Sequence, residues 1–197
     1  MPTGIAIRDV REQLFDAAER ILLRDGPNAL TSRAVTTEAG CAKGVLHRHF
    51  ADFDAFLADF VLDRIHRMDP QAAALRESAG TGTVAGNLTD ALIALFGSVA
   101  VAIVPLVTFR DELRDRLRET WPAGVPVLTD ACVMIASYLT AEQELGRIAA
   151  DAEVDMLAPM LIGAAHLLFA DRKGPPPEAE TVHKTVTSVI GGVAREA

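Results

Sequence analysis

Leu30–Phe50, LTSRAVTTEAGCAKGVLHRHF, is the stretch whose reading decides the fold. Thr31 is an N-cap residue type, its hydroxyl able to accept a first-turn N–H, and it precedes Ala34, Val35 and Ala39 at helical spacing. Gly40 stands where a glycine ends a helix. A second short helix is expected from near Ala42, with Leu46 and Phe50, four residues apart, turned inward. Only Gly40 and Cys41 separate the two helices, so the spacing predicts a sharp crossing, a helix-turn-helix. Lys43, Gly44, His47 and Arg48 then face outward with Val45 beside them, a cationic surface suited to the major groove of DNA. Gly44 lets the backbone come close to such a surface. A helical hairpin with a solvated basic face is the alternative on spacing alone.

Upstream, Ile7–Asp25 places Leu14, Ala17, Ala18, Ile21 and Leu22 on one helical face, and Gly26-Pro27-Asn28 turns the chain into the motif. Three helices are complete by Phe50, a head of about fifty residues, near the lower limit for an independent core. Downstream, Asp52 can cap a fourth helix carrying Phe53, Phe56, Leu57, Phe60, Val61 and Ile65, expected to end at Asp69-Pro70. Residues 78–87, SAGTGTVAGN, read as a loop.

LFDAAERILLRDGPNALTSRAVTTEAGCAKGVLHRHFADFDAFLADFV resembles the DNA-binding head of the tetracycline-repressor (TetR) family of bacterial transcription regulators, over about residues 8 to 62. Gly26, Thr31, Ala39-Gly40, Gly44, Leu46, His49 and Phe50 carry the likeness. The resemblance implies that Thr31, Ser32 and Arg33 touch phosphates or the groove edge. It likewise implies that Lys43, Gly44, Val45, His47 and Arg48, with His49 beside them, approach bases and backbone. Three positions depart from the family pattern: Ala42 where Ser or Thr usually starts the recognition helix, His47 for a phosphate-touching Tyr, and Phe53 for a Lys at the next helix start. Weaker or differently oriented DNA binding is the expected consequence, since phosphate contacts position such proteins and supply much of their affinity.

The composition bounds the rest. Of the 197 residues 50% are hydrophobic but only 5% aromatic, which points to an all-α core of Ala, Leu, Val and Ile. The net charge of -8 is uneven: residues 1–50 carry seven Lys/Arg against six Asp/Glu, and the remainder twelve against twenty-one. A basic helix on an acidic body fits a specific, salt-sensitive contact rather than general coating of nucleic acid. Cys41 and Cys132 form no metal or disulfide pattern, and the start of the sequence shows no apolar signal segment, so a cytoplasmic protein is expected. Cys41, His47 and His49 do not make a metal site, because the two histidines, two apart on a helix, point about 200° apart. There is no phosphate-binding glycine loop, GxSxG or HExxH, and Glu180–His183 is a single ExxH, so neither an enzyme nor a cofactor is expected.

Ala91–Phe109 has no charge over nineteen residues. Its small residues, Pro105 and charged flanks favour the buried centre of a helical domain over a membrane span. In the family such a helix lines the effector pocket, and Phe96, Val99, Ile103, Phe109, Met134, Tyr138 and His166 are the candidate lining. Two helices close the chain. The first, from Asp151 to Phe169, presents Val154, Leu157, Leu161, Ala165 and Leu168; the second, from Glu178 to Arg195, presents Val182, Val186, Val189 and Ile190. They can pack within the chain or meet their symmetry mates, as the resemblance implies. About nine helices are expected in all, divided into a DNA-binding head, residues 1–52, and a larger effector-binding and dimerisation domain, residues 53–197. The resemblance implies a homodimeric repressor released from a palindromic DNA operator by a small apolar effector. A helical dimerising or ligand-binding module with lost or altered operator binding is the other reading.

Overall fold

The computed structural model describes residues 7–122, 124–170 and 174–195. Among them are eleven α-helices and no strand: α1 (Ile7–Asp25), α2 (Ser32–Glu38), α3 (Gly44–His49), α4 (Phe53–His66), α5 (Asp69–Glu77), α6 (Val84–Phe96), α7 (Ala100–Thr108), α8 (Asp111–Arg118), α9 (Pro126–Glu144), α10 (Val154–Leu168) and α11 (Ala179–Ile190). A 3₁₀ turn, Pro27–Ala29, joins α1 to α2. The expected break around Arg172 and Lys173 lies partly outside the described residues.

The two helices beyond nine each have a local cause. Pro70, expected to stop α4, sits in the first turn of α5, where its missing N–H is not needed. The apolar run 91–109 is not one helix. The helix holding its first half, α6, begins at Val84, where Thr83 Oγ1 accepts a 3.0 Å hydrogen bond from Gly86 N, and the turn Gly97–Val99 breaks the run. A Cβ at Gly97 would lie 2.7 Å from the Ile93 carbonyl oxygen, so this close approach needs glycine. No single helix among the described residues is long and apolar enough to cross a membrane.

The chain divides into two compact units, residues 1–64 with 102–125, and residues 65–101 with 126–197. In the first, Phe15 of α1 is ringed by Phe50, Phe56 and Phe60 with centroids 5.6–6.1 Å away. Charged groups frame this aromatic centre. Arg11 lies 4.5 Å over the Phe50 ring and pairs with Asp59 at 2.6 Å. Arg64, only 4% exposed, meets Glu19 at 2.6 Å, Asp16 at 3.0 Å and Asp63 at 2.6 Å, tying α4 to α1. Three carboxylates around one buried guanidinium offset its desolvation by charge, while its Nε, beside Glu19, makes no hydrogen bond. Asp52 Oδ1 caps α4 by accepting from Ala55 N at 2.8 Å, and its other oxygen pairs with Arg116 of α8. Beside it, Arg110 bonds Asp54 at 2.8 Å and lies 5.4 Å over Phe53. Long-range ion pairs thus anchor the start of α4.

The second unit packs α6 against α10 and α11, and α9 against α5 and α10. Its core includes Leu88, Leu92, Ile135, Leu139, Leu161 and Val186. Glu142 is fully buried but satisfied: it accepts from Tyr138 Oη at 2.6 Å and from Gly80 N at 3.3 Å, and pairs with Arg147 at 3.2 Å. Burial, then the hydrogen bond to Glu142, push the Tyr138 phenol well above its ordinary range, so it remains a neutral donor. Backbone bonds from Arg195 N to Arg147 O (2.9 Å) and from Ala149 N to Val193 O (2.8 Å) tie the chain after α11 to the segment after α9.

The residues expected at a dimer face are largely drawn into this unit. Leu161, Ala165, Val182, Val186 and Ile190 are buried inside this unit, and Val154, Leu157, Leu168 and Val189 are half-buried. They serve the core because α10 is apolar on more than one side, and the sequence alone did not say which side turns inward. The large apolar side chains left on the surface of α10 are Met156, Met160 and Leu167, at 57%, 53% and 76% exposure.

Candidate nucleic-acid interface

The geometry of the head follows from how α2 ends. Thr31 Oγ1 accepts from Ala34 N at 3.2 Å and opens α2. At the other end Gly40 adopts φ 65°, its N donates to Thr37 O at 3.1 Å, and Cys41 N donates to Thr36 O at 2.9 Å. These two bonds form a Schellman closure, which a left-handed glycine makes without steric cost. Gln13 of α1 donates a 2.7 Å bond to the Ala39 carbonyl. Glu38 is held by Arg20 at 3.0 Å and Arg24 at 3.2 Å, and these hydrogen bonds keep its carboxyl below the usual glutamate range.

The recognition helix is shorter than expected. After the turn in which Val45 N bonds Ala42 O at 2.9 Å, α3 starts at Gly44, with Lys43 at the N-cap position and no side-chain cap. Ala42 has no oxygen to offer, so the first N–H groups of α3 lack a side-chain acceptor. Leu46 and Phe50 are buried, and the opposite side carries exposed Lys43, Gly44, His47 and Arg48, with Val45 and His49 half-buried. On α2, Arg33 is exposed and Ser32 half-buried, next to exposed Thr31.

Charge pairing separates these residues from the rest of their unit. Arg11, Arg20, Arg24, Arg64, Arg110, Arg114, Arg116 and Arg118 each meet a carboxylate. Among the described residues, Arg33, Lys43 and Arg48 make no ion pair. Unpaired cations on the exposed side of a two-helix motif form a surface that attracts polyanions.

The expected effector residues are divided between the two units. Phe96 stacks on Phe169 at 5.7 Å with His166 at 6.1 Å, and it belongs to the second unit with buried Val99, Met134 and Tyr138. Ile103 is buried in the first unit, and Phe109 is 82% exposed, because the run that holds them leaves α6 at Gly97. The second unit instead holds a cavity of about 290 Å³ lined by Gln71, Ala74, Leu75, Ser78, Asn87, Asp90, Ala91, Ala94 and Met134. Met134 alone was anticipated. A lone carboxylate inside the otherwise uncharged α6 is the signal that could have drawn attention to Asp90.

Residues 14–59 match the model of the bacterial regulatory proteins, tetR family. No curated protein matches the sequence. Over its whole length the chain is similar in structure to a TetR transcription regulator from Haloarcula marismortui (17% identity, 96% of this chain and 100% of that one, TM-score 0.72). It is similar as well to Salmonella enterica GusR (16%, 95% and 98%, 0.68) and to the regulator FadR from Bacillus subtilis in complex with stearoyl-CoA (16%, 92% and 98%, 0.67). The head, residues 14–59, thus matches the tetR family of bacterial regulatory proteins, and the chain has the fold of the TetR-type regulators it is similar to.

Proposed function

We propose that this protein is a cytoplasmic, homodimeric, one-component repressor that leaves a roughly palindromic operator when a small, largely apolar effector binds. The observation that carries the DNA-binding part is the set of unpaired cations, Arg33, Lys43 and Arg48, grouped on the exposed side of the motif while their neighbours are paired. In this reading Thr31, Ser32 and Arg33 hold the backbone, and Lys43, Gly44, Val45, His47, Arg48 and His49 address the groove. Residues 1–52 act as the DNA-binding domain and residues 53–197 as the effector-binding and dimerisation domain. FadR, which is similar in fold, is seen with stearoyl-CoA, and this supports a ligand for the helical body here.

Dimerisation would use α10 through Met156, Met160 and Leu167, with Gly163 between them allowing close helix approach. A two-fold axis repeats α3 on two half-sites, hence the palindrome. Release is a population shift: the effector binds the DNA-incompetent state better, and only that difference weakens operator binding. The uncapped α3 favours one competing reading, a dimerising or ligand-binding module with altered operator recognition. Selection of random duplex DNA by the purified protein decides between them. An enriched palindrome supports the repressor, and no enrichment supports the module.

A further inference from the structure

We propose that the cavity between α5, α6 and α9 takes an organic cation with a compact apolar body, its charge seated against Asp90. This deepens, and rests on, the reading of the second unit as an effector-binding domain.

The cavity walls set the body of the ligand. Ala74, Leu75, Ala91, Ala94 and Met134 offer hydrocarbon surface, and about 290 Å³ lies at the small end of ligand pockets. Its polar groups set the head. Asp90 is the one charged residue in the lining, and it forms no ion pair or hydrogen bond among the described residues. The Asn87 amide nitrogen is engaged by Ser78 O, Thr81 O and Tyr138 Oη at 3.3, 2.9 and 3.0 Å, so this side chain has no N–H to spare for a ligand. The site therefore offers acceptors and a negative charge. A carboxylate ligand would be repelled, and a neutral one would draw nothing from the Asp90 charge. A cation satisfies the group. The acidic balance of residues 51–197, twenty-one Asp/Glu against twelve Lys/Arg, raises the local concentration of such ligands.

The test is direct binding to the full-length protein of butyl-, hexyl- and octylammonium, each compared by calorimetry with the alcohol and the carboxylate of the same chain length. Because Asp90 is exposed at the cavity rim, the ammonium ion should bind about fivefold tighter than the alcohol. That margin should shrink with added salt and vanish in Asp90→Asn, whose shape and fold are unchanged. Equal or tighter binding of the alcohol or carboxylate overturns the proposal. So does a preference that survives Asp90→Asn, or failure of every ammonium ion to bind. Operator release, measured separately, tests the regulatory reading. A cation that binds at Asp90 yet leaves operator affinity unchanged keeps the ligand class and removes the effector role. Release by neutral or anionic compounds that ignore Asp90 does the reverse.

Discussion

Gln13 Nε2 donates a 2.7 Å hydrogen bond to the carbonyl oxygen of Ala39, one residue before the left-handed Gly40. The first helix thereby holds the corner at which α2 turns toward α3. Gln13→Leu removes this bond and leaves the carbonyl without its side-chain donor, at a cost of about 1 kcal/mol. Urea denaturation should show that loss, and operator affinity should fall with it. Unchanged stability would mean that the corner is held by the Gly40 closure alone.

The two glycines of the motif should respond to alanine with opposite signs. Gly40 has φ 65°, so Gly40→Ala costs about 1 kcal/mol or more in stability. Gly44 is helical and a Cβ there meets nothing within 4 Å, so Gly44→Ala should raise stability by up to about 1 kcal/mol. If α3 seats closely against DNA, that same methyl should weaken operator binding. A protein that is both more stable and better at binding DNA would remove the close-approach role of Gly44.

These contrasts show what was legible in the sequence. Leu46 and Phe50 at i and i+4, with Gly40 three residues before Lys43, specify the motif because every element of it is local. The long-range partners of the charges were not legible: nothing in the order of residues pairs Arg64 with Asp16, or Arg110 with Asp54. Pro70 was misread because proline is compatible both with the end of one helix and with the first turn of the next. The break at Gly97 was hidden by hydrocarbon residues on both sides. For α10, Leu161 and Met160 are adjacent and both apolar, and only packing shows that the first is buried and the second is not.

Acid should loosen the head through Glu38. Its carboxyl is held low by hydrogen bonds from Arg20 and then Arg24, so it binds a proton less readily folded than unfolded. Its contribution is present at neutral pH and is lost as pH falls through the lowered folded value. Glu38→Gln should therefore have a lower denaturation midpoint than the wild type at neutral pH, with the gap closing in acid. A gap that is constant with pH would exclude the ion pairs as its cause.

Met160→Glu places a charge on the exposed stripe of α10 without touching the core, so folding should be unaffected. If α10 forms the two-fold interface, the charge meets its symmetry mate, and sedimentation should show a monomer or a dissociation constant raised at least tenfold. Operator binding should weaken in parallel. A dimer of undiminished stability would move the interface to another face.

The central claim is that Arg33, Lys43 and Arg48 are left unpaired because DNA phosphates and bases are their partners. The measurement that tests it most directly is the affinity of wild type and Lys43→Ala for a selected operator across a range of salt concentrations. The account predicts a steep decline of log affinity with log salt for the wild type. For Lys43→Ala it predicts weaker binding together with a slope reduced by about one, or relaxed preference at one base position. Unchanged affinity, slope and preference would contradict this docking of α3.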